Sequence, residues 1–593
     1  MEEGGIAVEA STSTAPVCQI RTLPAPALEF VLPAPPLRVE RDDSAVHCTW
    51  YFAGLRLGLV HMALGAIMFL VPFTFLSTSA ITPTLSVTFH STSALSWYAS
   101  TFLISTCILC GVSPRMHVYA HRRGRAKEAL LGCLALFMAG CAVSSAAYTL
   151  RTFVAGRIIT GLGAATLISG CSAMLQSITL QPQHPLYRAT YVPAVYAIAA
   201  IAGPLIGSAF SSHVSWRWCF YFNLMIGGVA ALVLHFALGD ALQAQSDVVG
   251  ERYWLVDGAS FSFFAGGAVC FLLAIQWGGL EHPWRSGIII SLFILAAFFI
   301  LVFIALQIIL PNGEMALELA SQDYFMSRSF LTSFSVGASA GVSIFYLPIW
   351  LQTAKDFTVI QCSVRLLPLI FAAILAAGCT GFLVSKTGKH VLILMAGIAF
   401  MTIGAGLFTI LDSTSPTAHW ASFEFLYGLG LGTTLQYQRS SSLKKSPLAI
   451  NAYRSRLSAQ LLGGALFITI AHNVFTHALL KGIAGVDFVL LKVTSLESLA
   501  HIPGIDAHIL RAALATSLRS AFRVGLAASC LSVVGTCLEI QSLVTLSEDE
   551  QLGGGDGDGT AGESVTQLAA RRTMGPGTLT RVGGILQQRA ATE

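Results

Sequence analysis

The sequence predicts an all-α membrane protein with about 14 transmembrane helices, and three observations predict it. Composition is the first: of 593 residues, 54% are hydrophobic and 11% charged, with a mean hydropathy of +0.70, whereas a soluble domain is about a quarter charged. The second is a series of apolar windows, each near the ~20 residues that a helix needs to cross a hydrocarbon core. The third is that lysine and arginine gather in connections falling on one side of the chain. Net charge is only +4, which gives no support to a nucleic-acid partner.

Taken in order, residues 1–50 open with acids and continue in Ser, Thr, Ala and Pro. They read as a disordered cytosolic tail without a signal-peptide pattern. Windows at 57–80, 94–112, 129–149, 153–175, 189–210 and 219–237, bounded by basic residues, proline or polar glycine clusters, give a first six-helix bundle over 51–238. Windows at 256–276 and 286–309 give two linking helices over 239–310. Windows at 330–351, 362–383, 391–411, 418–437, 458–477 and 521–541 give a second six-helix bundle over 311–543. The connection over 478–520 is long and of mixed charge, and 544–593, with "SEDEQLGGGDGDGTAGES", reads as a second disordered cytosolic tail.

Orientation follows from the basic residues. Arg115, Arg122, Arg123, Arg125 and Lys127 lie between the second and third windows, and Lys386 and Lys389 between the tenth and eleventh. Arg439, Lys444, Lys445, Arg454 and Arg456 lie between the twelfth and thirteenth. All share one side if both termini are cytosolic. "HVYAHRRGRAK" (His117–Lys127) and "GFLVSKTGKH" (Gly381–His390, with Gly388) share a basic residue, a spacer, glycine and a second basic residue. This fits duplicated halves as well as two unrelated basic loops. Most of the 13 cysteines lie in apolar runs, among them Cys133, Cys141, Cys171, Cys270, Cys379 and Cys530, and read as small buried hydrophobes. Cys107 and Cys110 lack polar neighbours for metal or redox chemistry, and His117 and His121 sit among cations, so no metal and no cofactor is expected.

Arg157 stands inside the apolar stretch "TFVAGRIITGLGAATLISG". A charge at the centre of a membrane helix costs about 2.5–3.5 kcal/mol on insertion scales. It therefore faces a polar interior or reaches the headgroups from near the helix end. Gly203, Pro204 and Gly207 put small residues and a proline on one helix, which allows close approach to a neighbour, although glycine and proline are common in membrane helices generally.

Several of these stretches are familiar together. "GRIITGLGAA" carries Arg157, Gly161 and Gly163; "IAGPLIGSAFSSHVSWRWCFYFN" carries Gly203, Pro204, Gly207, Trp216, Arg217, Trp218, Phe220 and Asn223. "SWYAS" (Trp97, Tyr98), "LLAIQWGG" (Gln276, Trp277), "YLPIWLQ" (Tyr346, Pro348, Gln352), "VRLLPL" (Arg365, Pro368), "GLGLG" (Gly428–Gly432) and "LLGGALF" (Gly463, Gly464) follow in order. Across about 50–541 the chain resembles the major facilitator superfamily, and within it the fourteen-span drug:proton antiporter family found in fungi, as a divergent member. The resemblance implies the major facilitator fold, a monomer, an efflux pump of the multidrug antiporter type, and a role for Arg157 in proton coupling in a central cavity. It also implies an acid in the first span, where "FTFLSTSAITP" has Thr74; a glutamine often found one turn after the arginine, here Thr160; and acids before the basic loop residues, here His121 and Ser385.

Glu424 is the acid left within a span, since Asp257, Glu128 and Glu539 fall at window ends and should be solvated. It is a candidate substitute protonation site or cation contact, or else an interfacial acid. His61 in the first window is a second candidate, or a satisfied helix histidine. Candidate cavity groups are Asn223, Gln276, Gln352, Gln436, Gln460 and Asn473, walled by Trp97, Tyr98, Tyr346 and Trp350; they suit an amphipathic organic molecule better than a phosphate or polyanion. No GxxxxGK[ST] motif supports an ATPase, and no clustered ligand set supports an enzyme. The expected activity is export of a drug, toxin or secondary metabolite in exchange for protons by alternating access, in the plasma membrane or the vacuolar membrane. Alternatives are an uncoupled facilitator, a non-transporting sensor, or a siderophore carrier.

Overall fold

The computed structural model describes residues 55–178, 185–238, 252–309, 324–387, 390–440, 447–482 and 507–553, and every regular element among them is a helix. The first group comprises α1 (Leu55–Ala80), α2 (Thr82–Thr88), α3 (Leu95–Cys110), α4 (Ser113–Arg122), α5 (Ala126–Ser145), α6 (Leu150–Ile178), α7 (Pro185–His213) and α8 (Trp218–Ala237). A pair follows, α9 (Arg252–Trp277) and α10 (Gly287–Ile309). The last group is α11 (Tyr324–Thr353), α12 (Val359–Arg365), α13 (Leu367–Thr387), α14 (His390–Phe408), α15 (Thr417–Ser440), α16 (Pro447–Gly482) and α17 (Ala507–Gly553).

Local chemistry sets the short elements. Thr358 and Gln361 close a capping box that starts α12, and Pro368 near the start of α13, which lacks an N–H to donate backward, marks the break between α12 and α13. The turn after α4 runs through Gly124 at φ 69°, and the Arg125 N–H returns to the Ala120 carbonyl at 2.8 Å.

Each of the 14 expected windows holds a helix, but 12 among the described residues are long and apolar enough to cross a membrane. The other two differ for separate reasons. Helix α3 has 16 residues, about 24 Å of rise at 1.5 Å per residue. Helix α15 is 24 residues long, but threonines, glutamines and Glu424 lower its apolarity.

Two boundaries depart from expectation. Helix α16 begins at Pro447, so Arg454 and Arg456, read from sequence as connection residues, lie within a helix. Helix α17 runs to Gly553, because "SLVTLSEDEQL" contains no breaker before the glycine run, so the start of the expected C-terminal tail has helical backbone. The N-terminal tail, Gly388 and residues 554–593 lie outside the described residues.

Packing follows the small residues. In the first group α6 lies between α3 and α5, and α1 packs on α7 and α8. In the last group α11 packs on α16 and α17, and α15 on α13 and α14. The groups meet through α3 with α16, α1 with α11, and α7 with α12 and α13, while α9 packs on α10, α3 and α16. Rings of Phe89, Tyr98, Phe153, Trp216 and Phe220 interlock at centroid distances of 5.5–6.3 Å and fill the first group beside Arg157's helix. The exposed Ile294, Phe298 and Leu301 on α10 suit contact with lipid.

Candidate functional site

Arg157 is held in place by the glycines around it. A Cβ at Gly161 would meet the Phe102 carbonyl at 2.6 Å, and one at Gly163 would meet the Phe137 backbone at 2.6 Å, so α6 fits against α3 on one side and α5 on the other. The guanidinium is 0% exposed. Its Nε donates to the Tyr98 carbonyl at 3.1 Å, and its Cζ lies 4.4 Å from the centre of the Phe102 ring. Arg157 thus occupies the interior and does not reach for headgroups. The Cys141 thiol lies beside it and near Thr160 and Asn223. Thr160 Oγ1 donates to the Gly156 carbonyl at 2.8 Å, and Asn223 Nδ2 to the Cys219 carbonyl at 3.2 Å. Neither Nη1 nor Nη2 of Arg157 has a hydrogen-bond partner among the described residues, and the same holds for Asn223 Oδ1, Ser144 Oγ and the Tyr98 hydroxyl. Thr74, where the resemblance places an acid, is buried and donates to the Leu70 carbonyl of its own helix at 2.7 Å.

Glu424 lies in a different neighbourhood. It is 0% exposed, and neither carboxylate oxygen has a hydrogen-bond partner among the described residues. The Cys362 thiol adjoins both Glu424 and Gln352. One turn further along α15, the Tyr427 hydroxyl meets Ser339 Oγ at 3.0 Å, and Ser339 meets Ser529 at 2.6 Å. Just past the end of α11 the Lys355 ammonium donates to the Ser413 and Ser415 carbonyls, both at 2.6 Å. Burial lowers the Lys355 pKa, and the Asp412 carboxylate opposes that shift.

Several of the amides expected in the cavity hydrogen-bond between helices. Gln352 Nε2 donates to the Ala80 carbonyl at 3.0 Å, and Ser79 Oγ donates to the Ile344 carbonyl at 2.7 Å, tying α1 to α11. Gln276 Oε1 accepts from Ser96 at 2.7 Å; Asn473 Nδ2 donates to the carbonyls of Ile275 and Gly278 at 3.0 and 2.7 Å. His472 Nε2 donates to the Ser93 carbonyl at 2.9 Å, and the Tyr346 hydroxyl to the Ile468 carbonyl at 3.3 Å. The ends of α3, α9 and α16 are thereby joined. Asn473→Ala should lower the melting temperature of the detergent-solubilised protein by removing both bonds to α9, a loss of about 1–3 kcal/mol. An unchanged melting curve would refute that assignment.

Gly203 and Gly207 face α1, where added Cβ atoms would meet those of Leu76 and Ser77 at 2.9 Å, and Pro204 lies buried between them inside α7. Trp97 and Gln460 are half-buried. His61 Nδ1 meets the Leu57 carbonyl at 2.8 Å, and His117 Nε2 meets the Thr166 carbonyl at 2.8 Å, fastening α4 to α6.

Sequence reasoning misplaced Glu539. It is 2% exposed, not solvated, and accepts from Ser329 Oγ at 3.0 Å and the Tyr437 hydroxyl at 3.3 Å, with Arg456 close by. Extending α16 back beyond its apolar window would have brought Arg456 inside a helix, whereas Glu539 already lay at the end of its window. Glu128 is exposed as expected, 3.8 Å from Arg125, and the Asp257 side chain lies outside the described residues.

A sequence profile of the Major Facilitator Superfamily matches residues 62–252. The rubrofusarin-specific efflux pump aurT of Gibberella zeae is 30% identical over 499 residues, covering 82% of this chain and 89% of that protein. The MFS-type transporter phomT of Diaporthe leptostromiformis is 30% identical over 444 residues, 74% of each chain. The efflux pump aflT of Aspergillus parasiticus is 29% identical over 518 residues, 83% of this chain and 97% of that one. Among solved structures, the nucleoside transporter NupG superposes with a TM-score of 0.52 at 12% identity, covering 81% of this chain and 99% of that one, which is a likeness of fold.

Proposed function

The chain belongs to the major facilitator superfamily, and from that premise we propose that it exports an amphipathic organic compound, of the drug, toxin or secondary-metabolite kind, in exchange for protons by alternating access. Export is supported by relatives named as efflux pumps over most of the chain. Exchange for protons is supported by one observation, the buried carboxylate of Glu424, which has no hydrogen-bond partner among the described residues. A carboxylate in that setting is satisfied by a proton or a cationic partner, and a group that trades one for the other on opening to either side is what an exchanger requires. In this reading fourteen helices cross the membrane as two six-helix bundles with α9 and α10 between them, both termini are cytosolic, and the plasma or vacuolar membrane houses the protein.

The second reading is an uncoupled facilitator, favoured by Thr74 in place of the first-span acid. Proteoliposomes with an imposed pH gradient separate the two. Glu424→Gln should reduce gradient-driven accumulation of a transported dye by about tenfold or more while leaving downhill equilibration in place. Accumulation unchanged in this variant would remove Glu424 from the mechanism, and a wild type indifferent to the gradient would establish the facilitator.

A further inference from the structure

We propose that Arg157 is an anion-binding site and that it reads an acidic group on the transported compound, a carboxylate or an ionised phenol or enol; this rests on the exporter reading and gives it a substrate class. Three observations converge. The guanidinium is 0% exposed, and a guanidinium stays charged wherever it is placed. Among the described residues the ionisable group beside it is the neutral Cys141 thiol, and no carboxylate is paired with it. Among the described residues both terminal nitrogens lack hydrogen-bond partners while Nε is fixed on the Tyr98 carbonyl, so this edge of the fork has a set direction.

A buried charge without a partner is strongly unfavourable, and buried donors without acceptors require an explanation. Thr74 supplies no countercharge, since it is a hydroxyl already bonded to Leu70. Two parallel N–H groups on one planar fork match the two oxygens of a carboxylate. Asn223 Oδ1, beside Cys141 and without a hydrogen-bond partner among the described residues, would take a donor on the same compound. The Phe102 ring under the guanidinium supplies an apolar wall for an aromatic or aliphatic body.

The assignment also changes what the missing first-span acid means. With Thr74 in its place the cation of α6 is left for a ligand, and a monovalent anion leaving a negatively charged interior is driven by the membrane potential. About 100 mV sustains roughly a fifty-fold gradient of such an anion. Proton entry through Glu424 would add to that drive.

The test uses the full chain and three naphthalene probes that differ in charge: 1-naphthoate, 1-naphthalenemethanol and 1-naphthylmethylamine, in chloride-free gluconate buffer. The wild type should bind naphthoate roughly ten- to a hundred-fold more tightly than the alcohol, the range that one or two charge-assisted hydrogen bonds supply. Arg157→Gln should abolish the preference, and Arg157→Lys, which keeps charge without the fork, should retain part of it. Should Arg157→Gln fail to fold, the wild-type ranking and the lysine variant still decide. Equal binding of all three probes, or a preference for naphthoate that survives in both variants, overturns the proposal. Chloride titration separates the sources. Arg157-dependent binding of chloride without binding of naphthoate overturns the substrate assignment. Competition between the two upholds it. Flux in vesicles under a valinomycin-set potential then distinguishes the two readings: binding of naphthoate without flux leaves the site standing and removes the exporter, whereas flux of the amine with no naphthoate binding does the reverse.

Discussion

Gly463→Leu should leave no folded transporter in the membrane, whereas Gly228→Leu should be recovered at nearly the wild-type level. A Cβ at Gly463 would lie 2.9 Å from the Phe334 carbonyl carbon and 3.1 Å from the Ala338 nitrogen. On the same seam, a Cβ at Gly337 would lie 2.6 Å from Gln460 Cα, and one at Gly341 would lie 2.8 Å from Gly464 Cα. Helices α11 and α16 therefore meet backbone to backbone, and no side chain can rotate away to admit a larger residue. Small residues allow this approach in a membrane, where dispersion between close-packed backbones replaces the hydrophobic drive between helices. Extra methylenes in a packed core commonly cost about 1–3 kcal/mol, and here a whole helix would have to shift, against a total stability of about 5–15 kcal/mol for an ordinary domain. A Cβ at Gly228 on α8 would have no atom within 4 Å, so the same substitution meets open space. Size-exclusion profiles of fluorescently tagged variants would check the pair, and equal recovery of both would refute the close seam.

How much of this was legible in the sequence depends on the distance over which each residue acts. The helices follow from local apolarity, and Arg157 announced itself as a cation in an apolar window. Arg456 did not. In sequence it looks like one more cytosolic basic residue, and its meaning comes from Glu539, which a different helix brings to it. The amides of Gln276, Gln352 and Asn473 were ambiguous for a chemical reason. An amide that can hold a ligand can equally bond a carbonyl of the next helix, and the structure uses all three between helices. Glu424 was legible as an acid in a window but not as a buried one, because depth from the end of α15 does not reveal what covers it.

Thr74→Asp should transfer Arg157 from its ligand to the protein. Helix α1 packs on α6, and Thr74 is fully buried on α1, one turn before the Thr78 hydroxyl that donates to its carbonyl at 2.7 Å. An aspartate there supplies the acid that the resemblance expects. If it meets the guanidinium, each buried charge compensates the other and the free edge of the fork is occupied. Naphthoate affinity should then fall by about tenfold or more, since 1.4 kcal/mol suffices for a factor of ten. At the same time flux should depend more steeply on the pH gradient than in the wild type, because a carboxylate opposed by a single cation can take up a proton when that cation is drawn away. Thr74→Asn, similar in size and uncharged, should do neither. Melting temperature separates the two ways in which the aspartate could lower affinity. A paired aspartate leaves stability near that of Thr74→Asn, whereas a stranded one leaves an uncompensated buried charge and costs about 3–5 kcal/mol. Wild-type naphthoate binding in a stable Thr74→Asp protein would show that α1 does not deliver position 74 to Arg157. The orphaned fork would then have its origin elsewhere than in the lost first-span acid.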